Sequence, residues 1–411
     1  MTTVVPVRPS FANSGSGQEP HASECFRLQR KILLVFGIWP GDRLVRRWYV
    51  KVLIIVNLVV LAICMSCEFL YSLYAYRAGN LSEAIESICP TVARVSGFLR
   101  MVFYLVNEEK IARVLIGIEH GLRNQHPRET HITKQVNQIG QRYTLGLFLA
   151  MFFAALLFGV TPFFIMAYNW HQGQRPLVKL LPFKLALPFD SQNVLYYVLT
   201  TLYLNYASAP TITSQAGSDA LFSGVCFYVH GQLQGIKLDL EALAGSENGQ
   251  ALVGQALKAD PSEIRHVNRQ LRRISKRHQR TIELIGDVRA AFTPNVLLVY
   301  TCTALILCIV CVAMLVVEGL YKLTYVEYAF SEVVLLFLYS YGGTIIRDSS
   351  EAIKTVAYNF PWYRYDSDTR HLIQMMMIRA QYGSNLDVPF FENSMATFSM
   401  VGKQIFSFWC H

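Results

Sequence analysis

Charge is scarce in this sequence. Asp, Glu, Lys and Arg make up 16% of its 411 residues, against the roughly 25% of a domain built for water. With 53% of the residues hydrophobic, that deficit excludes an ordinary soluble globule. It also argues against reading the net charge of +9 as a nucleic-acid-binding surface. Catalytic signatures are missing as well. There is no His-Glu-x-x-His, histidine box, Gly-x-Ser-x-Gly or Walker sequence, so no enzyme is expected. The nine cysteines fall mostly inside apolar runs, and none keeps company with histidine at a metal-ligand spacing. They read as small buried hydrophobes, and neither metal nor cofactor is expected. The halves show no repeat of the transporter kind. Residues 1–24 are polar and rich in Ser, Gly and Pro. They are expected to be disordered and to hold no secretory leader.

What is present is a series of apolar runs. About 20 such residues at 1.5 Å each cross the ~30 Å of bilayer hydrocarbon. Seven segments qualify: 50–75, 82–106, 143–168, 194–229, 294–317, 326–346 and 391–410. The second carries Arg94 and Arg100, and the middle of the fourth, NYASAPTITSQAGSDA, is small and polar. The chain is therefore predicted to be all-α, a polytopic membrane protein with seven transmembrane helices.

Basic residues orient it. With the N-terminus in the cytosol, 29 Lys and Arg fall on the cytosolic side and six outside. The positive-inside rule then places the N-terminus in the cytosol and the C-terminus outside. The one Asn-x-Ser/Thr sequon begins at Asn80 in the first outside loop, making Asn80 the expected glycosylation site. This orientation is opposite to that of G-protein-coupled receptors. The second outside loop also lacks a cysteine, no Asp-Arg-Tyr follows span three, and no Asn-Pro-x-x-Tyr ends span seven.

Two cytosolic helices stand out. In 260–292, Asp260, Pro261 and Glu263 suggest a helix start, with N-cap, N1 proline and acidic arm in order. Ile264, Val267, Leu271, Ile274, His278, Thr281, Ile285 and Val288 then recur at steps of three and four, an apolar seam that needs a covering partner. The second helix, 366–381, begins at Asp366 and is too short to span the bilayer. Leu372, Ile373, Met375, Met376, Met377 and Ile378 make it apolar on more than one face. It is expected to dock against the 260–292 seam, a second copy or a related subunit.

The last span carries a stripe. Asn393, Thr397, Met400, Gln404, Ser407 and His411 follow at alternating steps of four and three, with Lys403 at its border. Lipid is a poor solvent for such groups, so the stripe should face protein or water. Either it packs inside its own bundle or it lines a pore, one copy per subunit.

These same stretches carry a family resemblance. Tyr358 and Trp362, then HLIQMMMIRAQ (371–381), Pro389 and SMATFSMVGKQIFSF (394–408) resemble the C-terminal third of insect odorant receptors. Lys403 and Ser407 fit the family's closing Lys-x-x-Tyr-Ser, with Phe406 in place of Tyr, and FGIWP (36–40) resembles its N-terminal Leu-Gly-Leu-Trp-Pro. Trp362 and Arg379-x-Gln381 favour the odorant branch over the alternative, a gustatory receptor-type channel. The resemblance implies a ligand-tuning subunit of an odorant-gated, nonselective cation channel. Its implied partners are a small volatile odorant, the co-receptor subunit in a heterotetramer and membrane lipid, with no nucleic acid. Its implied place is the plasma membrane of sensory neurons. A G-protein-coupled receptor and a transporter are weaker alternatives.

Implied roles follow. The chain divides into a cytosolic N-terminal segment (1–49), spans one to four with the ligand pocket (50–236), a cytosolic loop and helical extension (237–292), and spans five and six (293–357). A cytosolic anchor helix (358–390) and a pore-lining helix (391–411) complete it. Ligand contacts are expected in the outer halves of four spans: Ile88, Thr91, Val92 and Val95; Phe152, Leu156, Gly159 and Phe163; Tyr196, Tyr197, Thr200 and Tyr203; and Phe330, Val333 and Phe337. Thr397, Met400, Gln404, Ser407 and His411 are the expected pore residues, and Trp362, Leu372, Met376 and Arg379 the expected subunit anchors.

The charge asymmetry has a direct check. An N-terminal epitope tag should stain only after permeabilisation and a C-terminal tag on intact cells. Staining of the N-terminal tag on intact cells would overturn the orientation.

Overall fold

Long helices dominate because most segments lack the glycine and proline clusters that would break them. A computed structural model describes residues 26–35, 37–39, 48–123, 127–173, 178–248, 260–317 and 321–410. The polar start 1–24, and Phe36, Pro40 and His411 of the stretches quoted above, lie outside the described residues. Those described form ten α-helices: α1 Arg27–Val35, α2 Trp48–Arg77, α3 Leu81–Val106, α4 Glu108–Arg123, α5 Pro127–His171, α6 Val194–Asn248, α7 Pro261–Val316, α8 Tyr321–Asn359, α9 Ser367–Gln381 and α10 Met395–Cys410. No β-strand occurs among the described residues. The fold is all-α, as expected.

Helices α2, α3, α7 and α8 contain stretches long and apolar enough to cross a membrane. At 1.5 Å per residue, α5, α6 and α7 reach roughly 65–85 Å, far beyond the hydrocarbon thickness. The surplus of α6, α7 and α8 continues as a helical bundle outside the membrane. The expected cytosolic helix 260–292 and the fifth span are thus one continuous rod of 56 residues.

The seam has its partners within the chain. Val267, Leu271, Ile274, His278, Thr281, Ile285 and Val288 are all buried. The apolar ones share one core with Leu233, Ile236 and Leu240 of α6, Ile353 and Ala357 of α8, and Ile373, Met376 and Ala380 of α9. Arg277 ties α7 to α6 through Asp239 at 2.9 Å. Burial, helped by the nearby Arg379 charge, pushes the His278 imidazole down to about 4. A histidine kept neutral favours the fold above its ordinary pKa, and that contribution fades as pH falls from about 6.5 toward 4.

Within the membrane-spanning region, polar residues hold helix to helix. Arg94 of α3 pairs with Glu68 of α2 at 3.0 Å, with side chains 3% and 0% exposed. One and a half turns on, Arg100 pairs with Asp219 of α6 at 2.5 Å, both almost fully buried. Arg100 also donates to the Ser218 hydroxyl at 3.1 Å and the Gln215 carbonyl at 3.3 Å. Tyr339 of α8 donates to the same Asp219 oxygen at 2.6 Å, and Asn295 of α7 donates to the Tyr339 hydroxyl at 3.0 Å. Three spans therefore meet at one carboxylate, and the fourth, α7, joins them through the Tyr339 hydroxyl. Gly97 lets α3 and α6 approach, since a Cβ there would lie 2.9 Å from the Thr211 methyl.

Among the described cysteines, Cys64, Cys89, Cys226, Cys302 and Cys311 are buried, Cys67 is half-buried and Cys308 is exposed. Cys64 and Cys67, and Cys308 and Cys311, keep a Cys-x-x-Cys spacing, each pair about one helical turn apart on α2 and α7. All four are free, and no metal-holding cluster occurs among the described residues.

The ion pair sets a stability test. Asp219→Leu strands the Arg100 guanidinium in a dry interior and should cost about 3–5 kcal/mol. The double variant Arg100→Met/Asp219→Leu should recover most of it. Thermal aggregation of the detergent-solubilised protein reads both, and equal loss in single and double variants would refute the pairing.

Candidate functional site

A cavity of about 540 Å³ opens between α1, α5 and α6. Phe148, Phe152, Leu156 and Gly159 come from α5, and Asn205, Ser208, Ala209, Ile212 and Thr213 from α6. Lys31, Ile32 and Val35 of α1 close one end, and Phe183 of the loop before α6 closes the other. A mostly apolar wall with few polar groups, at a size within the usual range for small ligands, suits an uncharged organic molecule.

Each wall is placed by packing that the local sequence explains. Helix α1 buries Gln29, Ile32 and Leu33, three positions of one face, against α6. Gln29 donates to the Thr144 hydroxyl of α5 at 3.0 Å. The loop carrying Phe183 turns into the bundle rather than away from it. Leu185 is buried, the Ala186 amide donates to the Cys67 carbonyl at 3.0 Å, and the Ser87 hydroxyl reaches the Lys184 carbonyl at 3.3 Å. Arg94 stands 4.1 Å over the Phe183 ring. The Arg94–Glu68 pair therefore backs the cavity wall through an aromatic face.

Of the expected ligand residues, Phe152, Leu156 and Gly159 line this cavity. The others are dispersed. Thr91 donates to the Ser87 carbonyl at 2.9 Å and reaches Glu68 at 3.4 Å. Tyr203 ties α6 to α2 by donating to the Val60 carbonyl at 3.0 Å, and Tyr197 donates to the Leu180 carbonyl at 3.2 Å. Those hydroxyls are occupied by the scaffold. Val92 packs on the Ile306–Val310–Tyr325 cluster of α7 and α8. Ile88 and Val95 are half-buried, and Thr200 is buried. Tyr196 rests on Phe189, while Phe163 and Phe330 point outward. Val333 is also on the outer surface, and Phe337 stacks on Tyr341. Asn80 is exposed in the turn between α2 and α3. Sequence reasoning missed Phe148, Phe183, Asn205 and Ser208. The polar middle of span four was the available signal for the last two.

The last helix is joined to the polar centre. Ser340, next to Tyr339, bonds the Tyr300 hydroxyl of α7 at 2.6 Å, and that hydroxyl donates to Asn393 at 2.9 Å. Gly343 of α8 leaves room for the Asn393 carbonyl, which a side chain there would strike. Arg347 holds Glu392 at 3.1 Å. Beyond this root the stripe opens. Thr397 is half-buried, whereas Met400, Lys403, Gln404 and Ser407 are exposed. Phe398 turns inward, edge-on to Phe337 at 5.7 Å.

The short helix packs by one face. Asp366 caps it, accepting from the Thr369 amide at 3.1 Å, and the Thr369 hydroxyl, with further hydrogen bonds, holds that carboxyl below its usual range. Thr369, Ile373, Met376 and Ala380 are buried against α7 and α8. Met376, one of the expected subunit anchors, makes its contacts inside the chain. Leu372 is half-buried, and Trp362 and Arg379 are exposed. Met375 at 55% and Ile378 at 60% leave an apolar outer face uncovered.

The 7tm Odorant receptor family model matches residues 80–406. The chain is 26% identical over 388 residues to odorant receptor 22c of Drosophila melanogaster, covering 92% of this chain and 94% of that one. Odorant receptor 10a of the same organism is 23% identical over 382 residues, covering 92% of each. The fold is similar to that of the insect olfactory receptor OR5 from Machilis hrabei, with a TM-score of 0.75 at 15% identity, covering 95% of this chain and 97% of that one. A second structure, of OR5 in complex with eugenol, gives a TM-score of 0.74 with the same coverage.

The open stripe makes a prediction. Single cysteines at Met400, Gln404 and Ser407 should react with a water-soluble thiol reagent, and cysteines at Asn393 and Phe398 should not. Uniform reactivity along 393–407 would show that the stripe does not face water.

Proposed function

We propose, since this chain belongs to the 7tm odorant receptor family, that it is the odorant-sensing subunit of a ligand-gated, nonselective cation channel. The family match, over residues 80–406, takes in helices α3 to α9 and most of α10, and that observation carries the reading. It favours the odorant branch over a gustatory channel, a G-protein-coupled receptor or a transporter. The chain's place is the plasma membrane of sensory neurons, with its N-terminus cytosolic, its C-terminus outside and Asn80 available for glycosylation.

Small odorants enter the cavity bounded by Phe152, Leu156, Gly159 and Phe183. A relative of the same fold is solved with eugenol, a molecule of the size this cavity admits. The ligand signal reaches the last helix through polar groups already in contact. The chain of partners runs from Arg100 through Asp219 and Tyr339 on one side, and from Ser340 through Tyr300 to Asn393 on the other. Thr397, Met400, Gln404 and Ser407 then face the conduction path, with Lys403 beside them.

Assembly uses the uncovered face of α9. Met375 and Ile378 are exposed on a helix outside the membrane, where apolar area of this kind is covered by protein. A co-receptor subunit supplies that cover in a heterotetramer, with Trp362, Leu372 and Arg379 at its edge and Met376 supporting from within.

Current recording tests the reading. Co-expression with a co-receptor should give a cation current to some volatiles in a broad panel, and the co-receptor alone should not respond to them. Silence across the panel, with both chains confirmed at the surface, would overturn it.

A further inference from the structure

The cavity wall is mostly apolar, so its few polar atoms decide which molecules it prefers. Their orientation is set by the backbone of α6. One amide hydrogen of Asn205 donates to the Thr201 carbonyl at 2.9 Å. That bond turns Nδ2 back onto its own helix and leaves Oδ1 pointing outward. Oδ1 faces Gly159 of α5, where a Cβ would lie 3.5 Å from it. The missing side chain leaves open space in front of an acceptor that takes no hydrogen bond among the described residues. One turn on, the Ser208 hydroxyl spends its proton on the Leu204 carbonyl at 2.9 Å, leaving only lone pairs to offer.

Apart from the second amide hydrogen of Asn205, the donors lie at the other end. Thr213 is eight residues further along α6, about 12 Å by helical rise. Lys31 approaches from α1, which packs beside Gly217.

We infer that this cavity selects hydroxyl-bearing volatiles, alcohols or phenols, whose O–H donates to Asn205 Oδ1 across Gly159. The carbon skeleton lies against Phe152, Leu156 and Phe183. Ethers and esters of the same skeleton offer Oδ1 no proton and leave it desolvated without a partner. This inference rests on the reading of the chain as the odorant-sensing subunit.

The test is a matched panel on the full channel with its co-receptor: benzyl alcohol, benzyl methyl ether, benzyl acetate and benzoic acid, with the same four classes on a six-carbon chain. Alcohols should reach half-maximal current at concentrations about tenfold below those of the ethers, the equivalent of one net hydrogen bond. Asn205→Leu should raise the alcohol value about tenfold and leave the ether value within about twofold. Gly159→Leu fills the space before Oδ1 and should weaken every ligand, which keeps the test informative if Asn205→Leu reaches the surface poorly. Equal potency of alcohol and ether overturns the inference, as does an equal shift of both by Asn205→Leu. Greatest potency of the acids would move the contact to Lys31 and overturn it too. Unchanged responses in Gly159→Leu would place the ligand elsewhere. Silence of the wild-type channel to every volatile would instead refute the odorant-sensing reading itself.

Discussion

The buried pairing of Arg100 with Asp219 is the constraint on which the membrane bundle depends. A guanidinium and a carboxylate cannot sit separately among apolar helices without a large desolvation cost. They are tolerable there only together, and only with further hydrogen bonds. Asp219 takes one from Tyr339, which in turn takes one from Asn295. The register of α3, α6, α7 and α8 is thereby fixed at one level, because sliding any one of them would leave a charge or an amide unpaired. Gly97 serves the same point by letting α3 and α6 come close enough for the pair to form.

From that centre the structure branches in two directions. Toward the cavity, the second pair, Arg94 with Glu68, backs Phe183 and so gives a loop side chain a rigid support. Toward the last helix, Ser340 and Tyr300 hold Asn393 at the root of α10. The position next to Ser340 is Tyr339, so one short piece of α8 touches both the central carboxylate and the root of the last helix. Binding that moved α6 by a fraction of an ångström would act on the same few hydrogen bonds, and packed interiors switch between discrete arrangements rather than deform smoothly.

Outside the membrane a different rule holds. The seam of α7 and the inner face of α9 bury apolar surface in a small helical core. His278 sits inside it as a neutral ring. That core uses only one face of α9. Met375 and Ile378 remain uncovered for a reason of geometry, since a helix packed in one groove buries one stripe and α9 is apolar on more than one.

The sequence by itself determined the elements and their chemistry. Hydrocarbon thickness reads directly as apolar run length, so the spans in α2, α3, α7 and α8 were legible. Period-3.5 spacing reads directly as a buried face, and every position from Val267 to Val288 in the seam is buried as expected. The Asp366 cap was equally local. Which seam partner came from the same chain was not legible, because Ile373 and Met376 meet α7 only through the fold. Beyond Phe152, Leu156 and Gly159, the cavity was decided by tertiary structure. Phe183, over a hundred residues from Lys31 in the chain, closes the opposite end of the same cavity because the loop before α6 dips between helices. Thr91 and Tyr203 look like ligand contacts in a list of polar and aromatic residues. Only the fold shows that their hydroxyls are spent on Glu68, Ser87 and Val60. Periodicity says which face of a helix is apolar, but not which neighbour that face will meet.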